Sequence, residues 1–299
     1  MPKFQWKKIL KPALKIAITA AAIWFVFRKI DVHQLTLHLS KVNPLWFLCA
    51  IVAFLLSKMA SAYRQNEFYA AAGIRLDVVY NLKLYAVGMF YNLFLPGSIG
   101  GDAYKVYLIK QEHKKLSTRK LISATLLDRL SGVVVLFMMF LGFLWFSHFT
   151  LLDQTYIKGL LIFSLIAALP VFYLILHFFF STFTEKFLKT TWHSVLVQSG
   201  QVLAAVFLFL AVGIQQNWMD YLSLFMASSV VAVLPITIGG IGARELVFIL
   251  GHQWLPVDQE KAVAFSFLFF LVTAFSSLSG LIFIPTIDRK KKNDENMVA

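Results

Sequence analysis

One cysteine, Cys49, stands in 299 residues, and it lies inside an apolar run. A lone thiol excludes a disulfide framework and a thiolate metal site. Charge is scarce too: Asp, Glu, Lys and Arg together make 14% of the chain. Acids are the rarer sign, 15 against 28 Lys and Arg, and the first fifteen residues hold none. No Gly-x-x-x-x-Gly-Lys-[Ser/Thr] occurs, so ATP hydrolysis on a P-loop is excluded. His33, His38, His113, His148, His177, His193 and His252 show neither metal-ligand spacing nor a Ser/His/Asp arrangement. No loop is long enough to form a separate soluble domain.

What is present is apolar. Hydrophobic residues make 59% of the chain, 30 of them Phe, and several runs are long enough to cross a bilayer. The expectation is an all-α integral membrane protein, a polytopic helical bundle. The net charge of +13 sits mostly in short loops and tails, where it sets orientation and does not call for nucleic acid.

Lys3, Lys7, Lys8, Lys11 and Lys15 precede the first apolar stretch, Ile16 to Phe27. Ala20-Ala21-Ala22 admits a cleaved signal peptide, but the bulky Ile23-Trp24-Phe25 favours a retained helix. The spacing predicts further crossings over Leu45–Tyr63, Leu121–Phe146, Leu160–Phe180 (with Pro170 as a kink), Val195–Ile214 and Ala262–Ile284. Lys58 and Arg64 are expected to snorkel at an inner helix end. Arg289-Lys290-Lys291-Lys292 pins the C-terminus inside. Both termini are therefore expected in the cytoplasm, at the bacterial inner membrane. A stripe of Ser266, Thr273, Ser277 and Gly280 is expected to pack a neighbouring helix.

One stretch occurs twice. Leu95-Pro96-Gly97-Ser98-Ile99-Gly100-Gly101 recurs 139 residues on as Leu234-Pro235-Ile236-Thr237-Ile238-Gly239-Gly240. Each copy closes an apolar run, Val78–Leu95 and Leu222–Leu234. Charge follows each: Asp102 and Lys105, then Arg244 and Glu245. Proline and paired glycines break helices. In lipid a break survives only where protein or a wet cavity satisfies the backbone. The first run has basic, cytoplasmic flanks on both sides, since Lys105 to Lys120 should stay inside. It reads as a re-entrant hairpin returning by Ala103–Ile109. Three crossings later the second hairpin, returning by Glu245–Gly251, enters from the other face. The chain thus reads as one transmembrane domain of two inverted repeats, about 10–146 and 157–285, with a basic tail at 286–299.

Ionisable groups at depth are candidate functional residues. Asp128 and Arg129 lie eight or nine residues into the Leu121 run. As helix neighbours they point about 100° apart, so each needs another partner. Asp102 is the natural one for Arg129. Arg244 and Glu245 pose the same question in the second tip. Structural ion pairs and substrate contacts are both open readings. Paired glycines, Gly100-Gly101 and Gly239-Gly240, expose N–H groups and allow an anion to approach. Each is followed by a helix N-terminus that suits phosphate. Asn92, one turn before Pro96, is placed to bond the tip or a ligand.

These residues resemble a family. Asn92-x-x-x-Pro96-Gly97-x-x-Gly100-Gly101-Asp102, then Asp128-Arg129, then Pro235-x-x-x-Gly239-Gly240-x-Gly242-x-Arg244-Glu245 are similar to the flippase-like transmembrane domain of lysylphosphatidylglycerol synthases. That domain is the membrane half of the multiple peptide resistance factor. The resemblance covers nearly the whole chain and implies a free-standing member without the soluble aminoacyltransferase half. It implies a non-enzymatic transporter that needs no cofactor. The implied work is moving an anionic or aminoacylated phospholipid, or a lipid-linked head group, between leaflets. A membrane lipid is the expected partner, alongside a lipid-modifying enzyme. The alternatives are a small-solute or ion transporter on the same scaffold, and a non-transporting partner of such an enzyme. An intramembrane protease is disfavoured: Gly100-Gly101-Asp102 lacks Gly-x-Gly-Asp, and Gly97-Ser98-Ile99-Gly100 is not Gly-x-Ser-Gly.

Overall fold

Asn43 starts the first described helix. Its Oδ1 accepts from the N–H groups of Leu45 (3.0 Å) and Trp46 (3.4 Å), and Pro44 takes the first helical position. Both features stabilise a helix start. The structure is a computed structural model that describes residues 39–94, 100–233, 242–285 and 287. Nine α-helices and no strand occur among them. They are α1 (Pro44–Ala71), α2 (Val78–Phe94), α3 (Gly100–Glu112), α4 (Thr118–Trp145), α5 (Thr155–Phe179), α6 (Phe187–Val212), α7 (Trp218–Val233), α8 (Ala243–Gly251) and α9 (Gln259–Leu278). The predicted helix over Ile16–Phe27, the Pro-containing parts of both repeated motifs and the basic tail lie outside the described residues.

Among the described residues five spans are long and apolar enough to cross a membrane: Pro44–Ala71, Thr118–Trp145, Thr155–Phe179, Ser181–Val212 and Gln259–Pro285. They coincide with the five crossings predicted after the first. The protein is an all-α, multi-pass membrane protein. Most boundary differences have one cause. Polar residues lengthen α1 to Ala71 and begin α6 at Phe187, ahead of the predicted Val195. Thr190 and Ser194 are fully buried in that added turn of α6, each donating its hydroxyl to a carbonyl four residues back. A reading that follows apolar runs stops too soon there.

α1 and α6 form the central pair and run antiparallel. The Asn43 N–H, at the start of α1, donates to the Ala211 carbonyl near the end of α6 (3.0 Å). At the opposite end Glu67 pairs with Lys186 (3.3 Å) and Lys189 (2.5 Å). Gly200 lets the two helices touch, since a Cβ there would lie 2.8 Å from the Ser57 Cβ. Small residues are the usual device for close packing in lipid, where burial gives helices no hydrophobic drive. α6 ends at Gly213, whose φ of 79° is left-handed, and the Ile214 N–H returns to the Phe209 carbonyl.

Two large apolar clusters among the described residues hold the bundle, beside a smaller one around Leu141, Leu152 and Leu161. One gathers Phe54, Phe209, Phe225, Phe248, Phe265 and Phe269 between α1, α6, α7, α8 and α9. Several of these rings meet edge to face, Phe225 and Phe269 at 4.6 Å. The other joins Phe68, Tyr69, Leu84, Ile109, Leu121 and Phe172 from α1 to α5. α5 turns Phe163, Ile166, Phe178 and Phe179 outward, as a lipid-facing helix should. It continues through Pro170.

Candidate functional site

The two short helix pairs, α2–α3 and α7–α8, enclose the charges. In the first, α3 lies tightly against α2. A Cβ on Gly101 would collide with the Gly88 carbonyl, and the Gly101 N–H donates to Asn92 Oδ1 (2.8 Å). The glycine is there for helix contact, and its N–H is already engaged. At Gly101 the N–H is therefore not free for an anion. Gly88 also makes room for the Lys105 stem, 2.9 Å from where its Cβ would be.

Asp102, in the first turn of α3, accepts from Lys105 Nζ (2.8 Å) and from Arg129 Nε. The Asp102–Arg129 pairing is the one expected from charge reasoning. Lys105 is only 2% exposed. It is packed inside the bundle, unlike the exposed Lys114 and Lys115 that follow it. Asp128 finds its partner on α1: Arg64 Nε lies 2.7 Å from its Oδ1, with both residues 5% exposed. Arg64 therefore does not snorkel. Its Nη1 donates to Ser194 Oγ on α6 (3.0 Å), and Gly132 supplies the space, since a Cβ there would stand 2.9 Å from Nη1. Sequence reasoning missed Arg64. The signal was present as Ser57, Ser61 and Arg64, a polar stripe at helical spacing inside an apolar run.

The second pair handles its charges otherwise. Glu245 turns away. Its Oε2 accepts from the Gly242 N–H (2.7 Å) and its Oε1 from Ser266 Oγ on α9 (2.9 Å). It caps its own helix and ties it to α9. Gly242 has a φ of 80°, which suits glycine. Arg244 points the other way. Its Nη1 donates to Ser229 Oγ (3.2 Å), and its guanidinium lies 5.0 Å from the Phe269 ring centre and 6.0 Å from that of Phe225.

These groups border one cavity of about 250 Å³, open between the helix pairs. Asn92, Asp102, Asp128, Arg129 and Arg244 of the predicted set line it, joined by Lys58, Arg64 and Lys105. Gly100, Gly101 and Glu245 are not in its wall, while Gly239 and Gly240 lie outside the described residues. Asn92 bonds the tip through its Oδ1 and also borders the cavity. α6 adds Gln198, 4% exposed, whose Nε2 donates to the Gly132 carbonyl (3.0 Å). Its Oε1 has no hydrogen-bond partner among the described residues.

The electrostatics are lopsided. Among the described residues five cations and two carboxylates line the cavity, a formal surplus of three positive charges. Arg64 is matched by Asp128, while Lys105 and Arg129 share Asp102. Lys58 and Arg244 have no carboxylate within salt-bridge distance among the described residues. Lys58 instead sits 4.5 Å from the Phe54 ring centre. Aromatic faces attract cations but leave the charge uncancelled. A cavity of this kind attracts anions and repels cations.

Comparison with known proteins identifies the family of the sequence. The family model described as the lysylphosphatidylglycerol synthase TM region matches residues 13–195 and 184–280. The chain is also similar to the UPF0104 membrane protein PH1989 of Pyrococcus horikoshii. The two are 25% identical over an alignment covering 94% of this chain and 95% of the relative.

Proposed function

Because this chain belongs to the lysylphosphatidylglycerol synthase transmembrane-region family, we propose that it is a flippase-like transporter of a phosphate-bearing membrane lipid. The observation that carries the reading is the cavity with surplus positive charge, enclosed by spans that cross a membrane. A charged head group cannot cross hydrocarbon cheaply. A polar cavity between two helix pairs offers it a solvated halfway station while its acyl chains stay in lipid. At about 250 Å³ the cavity is slightly below the roughly 300–1,000 Å³ of common small-molecule pockets, a size for a head group and not for acyl chains. Arg244 and Arg129 are the anion-gripping groups in this proposal, since guanidinium binds phosphate in a planar fork.

The proposed architecture is an inverted repeat with α2–α3 and α7–α8 as re-entrant hairpins. Length supports it. At about 1.5 Å per residue the 9-residue α8 reaches roughly 14 Å and the 13-residue α3 roughly 20 Å, short of a ~30 Å hydrocarbon core. Register supports it too. A shift of 139 carries Leu45–Tyr63 to 184–202, inside the helical stretch Ser181–Val212, and Leu121–Phe146 to 260–285, inside Gln259–Pro285. The counterparts α1 and α6 run antiparallel, as inversion requires. Both termini are proposed to be cytoplasmic at the bacterial inner membrane, where the N-terminal lysines and the Arg289–Lys292 run would hold them. Catalysis forms no part of the proposal, and a lipid-modifying enzyme is the proposed companion.

The test is reconstitution of the full chain into vesicles carrying labelled phosphatidic acid or labelled phosphatidylglycerol in one leaflet. Protein-dependent exchange between leaflets is the expected result. Vesicles that pass small anions but move no lipid would replace this reading by that of a solute transporter.

A further inference from the structure

We propose that the head group held in this cavity is a dianion, a phosphomonoester or diphosphate, clasped between Lys58 of α1 and Arg244 of α8. The inference rests on the translocase reading above and names its substrate class. Three of the five lining cations are spoken for by Asp102 and Asp128. The remaining two, Lys58 and Arg244, come from opposite ends of the sequence and border the same cavity. The acid that should neutralise Arg244 is its neighbour Glu245, yet both Glu245 oxygens are used, one by the Gly242 N–H and one by Ser266. The unmatched charge of Arg244 is thus built into the second helix pair.

Charge balance then discriminates between lipids. A phosphodiester such as phosphatidylglycerol brings one negative charge and leaves a cation unmatched. A zwitterionic head group carries a cation into a cavity that already has too many. A lysylated phosphatidylglycerol is worse, because its two ammonium groups outnumber its one phosphate. A phosphomonoester carries about −1.5 to −2 at neutral pH and a diphosphate at least as much, enough to answer both cations. The two cations also differ usefully. The Arg244 fork can engage two oxygens at once, and the Lys58 ammonium acts as a point charge from another side. The unpartnered Gln198 Oε1 offers an acceptor for the proton that a monoester retains or for a head-group hydroxyl.

The test uses the full chain in phosphatidylcholine nanodiscs and five probes. They are farnesyl diphosphate, dioctanoyl phosphatidic acid, dioctanoyl phosphatidylglycerol, its lysyl ester, and inorganic diphosphate. The expected order has farnesyl diphosphate and phosphatidic acid bound at least about tenfold more tightly than phosphatidylglycerol, with the lysyl ester weakest. Lys58→Gln and Arg244→Gln should each weaken the dianionic lipids about tenfold and phosphatidylglycerol less. Lys58→Arg should keep the ranking, and melting curves without ligand check that each variant is folded. The wild-type ranking needs no variant. If phosphatidylglycerol or its lysyl ester binds as tightly as the dianionic lipids, the substrate class is wrong and the translocase reading survives. If inorganic diphosphate binds as tightly as farnesyl diphosphate, the tail contributes nothing and the lipid reading itself falls.

Discussion

The two short helix pairs carry the same motif and use it in opposite ways. In α2–α3 the acid, Asp102, faces the cavity and binds two cations. In α7–α8 the acid, Glu245, faces its own backbone and α9, and the cation, Arg244, faces the cavity with no carboxylate within salt-bridge distance among the described residues. One pair is locked by charge, the other by a helix cap. The lesson is that a repeated sequence need not give a symmetric site. Had both pairs followed the first pattern, the cavity would be nearer neutrality.

The largest expected break falls on the first pair. Asp102→Asn leaves Lys105 and Arg129 without their shared carboxylate, and an orphaned buried ion costs about 3–5 kcal/mol. Thermal unfolding in lipid nanodiscs measures it. A loss under about 1 kcal/mol, typical of exposed pairs, would mean that the network is solvated. Next comes Gly101→Ala. Its Cβ would meet the Gly88 carbonyl, which is backbone and cannot turn aside, and overpacking costs about 1–3 kcal/mol. Glu245→Gln should cost less, about 0.5–2 kcal/mol in the range of a lost cap, because the amide keeps an oxygen for the Gly242 N–H. If Glu245→Gln proved costlier than Asp102→Asn, the contrast between the two pairs would be reversed. The last prediction changes no stability. In a Cys49→Ser background, Lys114→Cys and Gln253→Cys, both at exposed positions, should react with impermeant reagents from opposite sides. Labelling from one side would end the inverted arrangement.

Much of the fold was legible. Apolar run length and Lys/Arg placement located the five described crossings, because bilayer thickness and backbone satisfaction leave few alternatives. The Pro and Gly-Gly pattern located both short pairs. Gly280, read as a packing residue, is one: a Cβ there would strike Ala86 and stand 2.9 Å from the Phe90 Cβ. The site was half legible. Asp102 and Arg129 could be matched because a buried charge demands a partner. Arg64 and Lys105 were hidden by company, one near a helix end and one among solvated lysines, so position along the chain outweighed the face each occupies. The orientation of Glu245 was not legible, since facing the cavity or facing the Gly242 N–H differs by side-chain torsion alone.

The contrast between Arg244 and Glu245 tests the central claim most directly. Both variants, Arg244→Gln and Glu245→Gln, are reconstituted at matched amounts of folded protein, and leaflet-to-leaflet movement of a labelled anionic lipid is timed. Losing about 1.4 kcal/mol at the rate-limiting step gives about a tenfold slower rate for Arg244→Gln. Arg244→Lys should recover only part of it, because the planar fork is gone. Glu245→Gln should stay within about twofold of the parent rate. Equal slowing in both variants, or none in Arg244→Gln, would contradict the account: the uncompensated arginine would then be a structural feature of the second helix pair and not the grip on the lipid.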